Sequence, residues 1–527
     1  MPGHLFTICG DITRLHCHAW LLPTDAAGVV EPSWLRHRPG EAEAPRGPAR
    51  RVLPESDEER RRLRDGQPTT TAAWSSSPRP YLIPIGRVRS SDSTAYLSAA
   101  IAGLDAAVTD LEKNRPADRD RPLIAMPVVG IGEGGIADAA GTLIEQLIDG
   151  VRAHVKSHAL NFDVALVAFE RDVLAACQQV RRRSEFQGTV PSSDLGRLTE
   201  AAAAGALVIF VGAGVSAGAG LPTWDELLHD LAGRANFPAA DRPSLAQLGA
   251  LDRARLIAAR FQTKNRSIGA EVAELVKREK YGLVHGQLAC LPAHEITTTN
   301  YDELFEFAAD AARDPVKVLP YQRLTGRARW LLKLHGCVNH PEDIVLTRED
   351  YYDYDGRRGA LRGIVQALLI TRHMLFVGFS LQDENFLRIA HEVRTAIRSA
   401  PSDAPEPYGT LLTLFDDPLH ADLWRHDLHI AALGGLAPAD ESDRRDSLLA
   451  NARAQEIYLD ELLVRCTTSA GHLLHTRFAG ALDESEQRAR KLLEPLREAA
   501  PTAPRNSPTW NQIRRLLADL GDEVHGS

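Results

Sequence analysis

Between a β-branched and aromatic run, Leu207 to Val211, and an apolar pattern at helical spacing, the chain places glycines and small residues from Gly212 to Gly220. Run, break and periodic segment read as strand, turn and helix. Gly212 and Gly214 allow a tight turn and let the backbone come close to a ligand, with the amides of the following turn pointing at whatever sits there. That is the chemistry of a phosphate or pyrophosphate cradle, and Gly212, Gly214 and Ala217 satisfy the loose dinucleotide fingerprint. A plain strand-to-helix turn uses the same residues. Thr223 and Glu226 have the spacing of a capping box, and Trp224, Leu227, Leu228 and Leu231 make one apolar stripe.

Three later stretches read as strands, the first apolar-to-threonine, that end in polar groups. His294 to Asp302 ends at Asn300, Tyr301 and Asp302, Trp330 to Gly336 ends at His335, and Met374 to Asp383 ends at Gly378, Phe379 and Ser380, with Asp383 placed to cap a helix. In an open parallel sheet ligands bind outside the carboxyl ends of the strands, so these four ends are expected to converge on one crevice. Structural readings exist for each: a histidine capping a strand end, a turn at Asn300 and Asp302, and helix capping by Ser380 and Asp383.

Positioning these ends takes an α/β scaffold. The 527 residues exceed one ordinary core, and 44% hydrophobic with 25% charged residues is soluble-globular usage. A formal net charge of -9 argues against a dedicated nucleic-acid binder. The six cysteines are scattered without a C-x-x-C pair, so neither a disulfide framework nor a cysteine-rich zinc site is expected, and a reducing cytoplasm fits. No apolar run reaches the roughly 18 residues that span a bilayer, and the reading is of a soluble, unprocessed, cytoplasmic protein. Strands and helices alternate over 1–183, interrupted by a polar insertion at about 31–80. A boundary falls at 183–195, a second α/β domain covers 195–435, and 440–527 reads as a helical C-terminal appendage.

Two resemblances follow. Gly10-Asp11-Ile12-Thr13 at a strand end, with the glycine loop Gly130 to Gly135, resembles the macro domain, a mixed-sheet α/β fold. It implies an ADP-ribose-like nucleotide, with Asp11 at the adenine amine and Gly130, Gly132, Gly134 and Gly135 around the diphosphate and distal ribose. The sequence Leu22 to Gly28 departs from that family's asparagine-rich loop, which argues for binding rather than hydrolysis.

The ordered set Gly212-Ala213-Gly214-Val215-Ser216, Thr299 to Asp302, His335-Gly336 and Gly378 to Ser380 resembles the sirtuin family over about 195–435, with a Rossmann-like parallel sheet. That resemblance implies NAD, with Gly212, Ala213, Gly214 and Ser216 at its pyrophosphate. Asn300 and His335 would be the catalytic pair, Asp302 would hold the nicotinamide carboxamide, and Gly378 and Ser380 would serve ribose and phosphate. Apart from the resemblance, Trp224 is expected to close over the nicotinamide ribose as well as to start its helix. The paired zinc cysteines of the protein-deacylating members are missing, since Cys337 stands alone after His335-Gly336. No metal is expected. Water becomes the nucleophile, and the set is similar to the bacterial sirtuin-like NAD hydrolases of antiphage defence, which implies a homo-oligomer or a partner protein from the same defence operon. A protein deacylase or ADP-ribosyltransferase, and a non-catalytic nucleotide-binding regulator, are the other readings.

Overall fold

The computed structural model describes residues 2–30, 51–72, 74, 78–85, 93–131, 139–185, 192–398, 407–467 and 469–522. Its backbone separates into two compact units. One comprises 1–190, 311–313 and 463–527, the other 191–310 and 314–462.

In the first unit six strands form a mixed sheet: β1 (Leu5–Cys9), β2 (Ala19–Thr24), β3 (Thr69–Thr70), β4 (Pro80–Pro84), β5 (Leu123–Pro127) and β6 (Asp163–Ala168). Their order is β1-β6-β5-β2-β4-β3, parallel throughout except for β3 against β4. Near-continuous apolar runs such as Leu-Phe-Thr-Ile-Cys suit strands buried on both faces. Helices α1 (Ser93–Lys113), α2 (Ala140–Ser157) and α3 (Arg171–Glu185) cover the sheet. The segment Thr476–Ala481 packs on α2 and α3, where a side chain on Gly141 would meet the Ala481 amide at 2.5 Å. Residues 463–527 are thus part of this unit's compact body.

The polar stretch at about 31–80 contains an element that its composition hides. Asp57–Arg64 is a helix, started by a capping box of Ser56 and Glu59 and anchored by buried Leu63.

The second unit is built on seven parallel strands: β7 (Leu207–Val211), β8 (Glu295–Thr298), β9 (Lys317–Leu319), β10 (Trp330–Lys333), β11 (His373–Val377), β12 (Gly409–Thr413) and β13 (Leu428–Ala432). The order is β9-β10-β8-β7-β11-β12-β13. Helix α4 (Ser193–Ala203) precedes β7, and a run of helices fills 213–290 before β8. Phe210 on β7 packs against Phe376, Phe379 and Phe386 at centroid distances of 5.2, 4.5 and 5.4 Å. Helices α5 (Ala213–Ala217), α6 (Trp224–Arg234) and α7 (Leu283–Cys290) lie between β7 and β8, and the aromatic cluster fastens β7 and β11 to helix α8 (Glu384–Arg398). Among the described residues no helix is long and apolar enough to cross a membrane.

Candidate active site

The four strand ends singled out from the sequence belong to adjacent strands, β10, β8, β7 and β11. The chain passes from β7 to β8 on one side and later returns to β11 on the other, so β7 and β11 flank a topological switch point, where doubly wound sheets bind ligands.

At that point two backbones touch. The Gly212 amide donates to Val377 O at 2.9 Å and the Gly214 amide to Gly378 O at 2.9 Å. A Cβ on Gly212 would stand 2.3 Å from Gly378 O, while Gly378 has a φ of +64° and a Cβ there would lie 2.5 Å from the Val215 amide. Contact alone requires glycine at Gly212, whereas contact and a left-handed backbone together require it at Gly378. Ala213 and Gly214 remain exposed, which leaves this turn's backbone accessible to a ligand.

Beside the turn, the Ser216 hydroxyl is a junction. It donates to Asp302 Oδ2 at 2.8 Å, receives the Asn300 side-chain amide at 3.0 Å, and lies 3.3 Å from His285 Nε2. His285 Nδ1 accepts the Gly282 amide at 3.3 Å, so its Nε2 carries the proton and donates to Ser216. Burial pushes the His285 pKa down to about 4, with Asp302 opposing. Asp302 Oδ1 accepts the Leu304 amide at 3.0 Å. Below it, buried Lys333 donates to the Asp302 carbonyl and pairs with Glu306 at 2.8 Å.

This network fixes which way Asn300 points. Its Nδ2 donates to Gly212 O at 3.1 Å as well as to Ser216, which turns Oδ1 away, buried and without a hydrogen-bond partner. His335 shares that condition. It is 3% exposed and its Nε2 makes no hydrogen bond, Asp383 Oδ2 being 3.5 Å away. Burial lowers the His335 pKa, Asp383 opposing and Arg358 assisting. Asp383 Oδ1 caps α8 by accepting the Phe386 amide at 2.8 Å, while Oδ2 takes the Tyr351 hydroxyl at 2.6 Å. Helix capping and attachment to the site therefore coexist in one carboxylate.

Of the remaining sequence candidates, Ser380 is exposed just past Gly378, and half-buried Trp224 starts α6 with its ring 6.5 Å from that of Tyr301. The Glu226 carboxylate accepts from both the Thr223 amide and hydroxyl, at 2.7 and 2.8 Å, as the capping-box spacing required. In the first unit Asp11 Oδ1 accepts from the Thr13 amide and hydroxyl at 2.9 and 2.7 Å. Gly130 has a φ of +82° and abuts Leu143 and Tyr96. Gly132, Gly134 and Gly135 lie outside the described residues. His285, Thr298, Lys333, Glu306 and Tyr351 escaped the sequence reading. Only Thr298 had a signal there, as the middle of the three threonines before Asn300, and it donates to Val211 O at 2.8 Å and accepts the Asn300 amide at 2.9 Å.

The second unit is thus a doubly wound α/β domain with a glycine-lined crevice and two buried, unpartnered polar atoms at adjacent strand ends. A family model described as a SIR2-like domain matches residues 294–433. That span takes in β8 to β13, and β7 with its glycine turn inserts between two of its strands. The chain is 30% identical over 214 residues to an NAD(+) hydrolase ThsA of Enterococcus faecium, covering 38% of this chain and 43% of the relative. A ThsA of Bacillus cereus strain MSX-D12 is 30% identical over 198 residues, 36% and 40% of the two chains. Defense-associated sirtuin 2 of Bacillus subtilis is 28% identical over 213 residues, 37% and 20%. The aligned segments span less than half the length of these relatives.

Proposed function

We propose that the second unit hydrolyses NAD to nicotinamide and ADP-ribose. The bond from ribose C1′ to the ring nitrogen breaks with its electron pair going to nicotinamide, which leaves neutral because the ring carried the positive charge. No acid is needed. Water supplies the new oxygen at C1′ and gives up a proton. Catalysis then consists of gripping the substrate, excluding bulk solvent and placing the nucleophile. Asn300 Oδ1 is an acceptor for a ribose hydroxyl or the attacking water, and His335, kept neutral by burial, is the proton acceptor. The Gly212 to Gly214 turn and Gly378 suit the pyrophosphate and ribose. Asp302 serves the carboxamide and, through Ser216, the aim of Asn300. The observation that carries this reading is the pair of buried, unpartnered atoms, Asn300 Oδ1 and His335 Nε2; relatives named as NAD hydrolases supply the choice of NAD.

The wider proposal is an NAD-depleting effector of bacterial antiphage defence, acting in the cytoplasm as a homo-oligomer or with a partner protein from its operon. In it the first, macro-like unit binds an ADP-ribose-like nucleotide and controls turnover. The name of the Bacillus subtilis relative supports the defence role.

Incubating purified protein with NAD, with and without candidate nucleotides, and separating the products decides the chemistry. Nicotinamide and ADP-ribose in equal amounts are expected. Consumption of acyl-lysine peptide or a protein acceptor with NAD would establish transfer instead, and calorimetric binding without turnover under every condition would make the protein a regulator.

A further inference from the structure

A second constellation, unrelated to the NAD chemistry, sits in the first unit. Asp105 on α1, His154 in the last turn of α2 and His158 just beyond it present one ligand atom each, all within 4.8 Å of one another. We propose that these three side chains bind a divalent transition-metal ion of the zinc class, with solvent completing the coordination. His154 Nε2 and His158 Nε2 stand 2.8 and 3.3 Å from the same oxygen, Asp105 Oδ1. Ligand atoms around a tetrahedral ion with bonds of about 2.0–2.1 Å lie roughly 3.3 Å apart, so only small adjustments admit the ion. Two imidazoles with one carboxylate select zinc, copper or nickel over calcium or magnesium.

The surroundings hold these rings in place. Fully buried Phe162 meets both edge-on, at centroid distances of 6.4 and 5.3 Å, and the rings lie 5.1 Å from each other. Leu160 offers His158 Nδ1 both its carbonyl and its amide at 3.1 Å, so the ring is supported in either tautomer. With Nδ1–H on the carbonyl, Nε2 is free to bind, the arrangement metal-bound imidazoles adopt. Side-chain exposures of 46%, 19% and 20% for Asp105, His154 and His158 give an ion a path from solvent. A second grouping in the same unit shows the contrast. His18 Nδ1 accepts the Leu123 amide at 2.8 Å, so its Nε2 carries the proton and donates to Asp118 at 3.0 Å. That ring has no lone pair to offer.

The test uses the full-length, tag-free chain after chelator treatment, titrated with Co2+ as the probe and then with Zn2+. One equivalent of Co2+ per chain should give ligand-field bands of a low-coordinate site, bleached by Zn2+, with a rise in the thermal midpoint. Loss of an outer-shell partner alone costs about 10–100-fold in metal affinity, so His154→Ala and Asp105→Asn should each weaken Zn2+ binding by at least about tenfold. His158→Gln provides the same comparison if either variant fails to fold, judged by circular dichroism without metal. Absence of a stoichiometric cobalt spectrum, or variants that bind Zn2+ as tightly as the parent, would overturn the site.

Discussion

Asn300 Oδ1 and His335 Nε2 are buried at adjacent strand ends with no hydrogen-bond partner among the described residues. Leaving such a group unsatisfied costs about 1–3 kcal/mol, and a bound ligand recovers it. If the proposed hydrolysis is right, Asn300→Ala and His335→Ala each lower the rate of nicotinamide release by about 10²–10⁴-fold with the fold intact; a variant that keeps its rate removes that residue from the chemistry. The pH profile carries a sign as well. Because burial lowers the His335 pKa below 6.5, its base form persists to lower pH than an exposed histidine's, and the acidic limb of kcat/KM should fall below that value. His285 gives a stability counterpart. Its folded pKa of about 4 lies under the unfolded 6.5, so the unfolded chain binds more protons between those values. This contribution is fully present above pH 6.5 and is lost as pH falls toward 4, on the order of 3 kcal/mol in all. Denaturant midpoints of a His285→Asn protein should therefore depend less on pH across that window than the parent's. The sequence announces Asn300 and His335 because each follows a strand pattern, threonine-rich before Asn300 and apolar before His335; His285 gives no such sign, since a histidine within the short helix α7 acquires meaning only from Ser216, 69 positions away.

Elements were legible where hydrophobic runs are long and end sharply. β7, β10 and β11 are of this kind, β8 (Glu295-Ile-Thr-Thr298) shows instead by its threonines, and all four deliver a residue to the site. Strand β9 is three residues, Lys317–Leu319, held between Pro315 and Pro320, too short for alternation to register. The 57–64 helix is hidden by its own charge, although Ser56 and Glu59 already had capping-box spacing. What sequence could not supply is the contact between elements, and the turns that follow the parallel neighbours β7 and β11 show why: Gly212 is an ordinary turn glycine until Gly378 O lies within 2.3 Å of where its side chain would be. Gly212→Ala should thus separate the two strand ends, lowering stability by about 1–3 kcal/mol through overpacking and abolishing NAD turnover. Urea midpoints and product assays on one preparation check both halves. Trp224→Ala should leave the midpoint nearly unchanged and raise the apparent KM for NAD, as expected of a half-buried ring that closes over substrate; an unchanged KM returns it to packing.

At the scale of the molecule, chain order and compact bodies do not coincide. The 440–527 stretch reads from composition as an appendage, because Ala, Leu, Arg and Glu at helical spacing say nothing about which surface they cover. Residues 463–527 cluster with 1–190. Phe478 and Ala481 are fully buried, Gln179 donates to Asp483 at 2.9 Å, and Arg182 donates to Thr467 O at 2.8 Å. Burying a side chain of the size of Phe478, Leu474 or Leu482 contributes about 1.5–3 kcal/mol each, a large part of the 5–15 kcal/mol typical of a domain. A chain ending at Leu462 should therefore damage the first unit as a folded body, exposing the faces of α2 and α3 that Thr476–Ala481 covers. Hydrogen exchange is the suitable readout, since it reports each segment separately. Truncation should accelerate exchange across 140–157 and 171–185 while leaving the β7 and β11 amides of the second unit protected. Equal protection of α2 and α3 in the truncated and full-length chains would show the tail to be dispensable, and its burial then a consequence of that unit's fold instead of a cause.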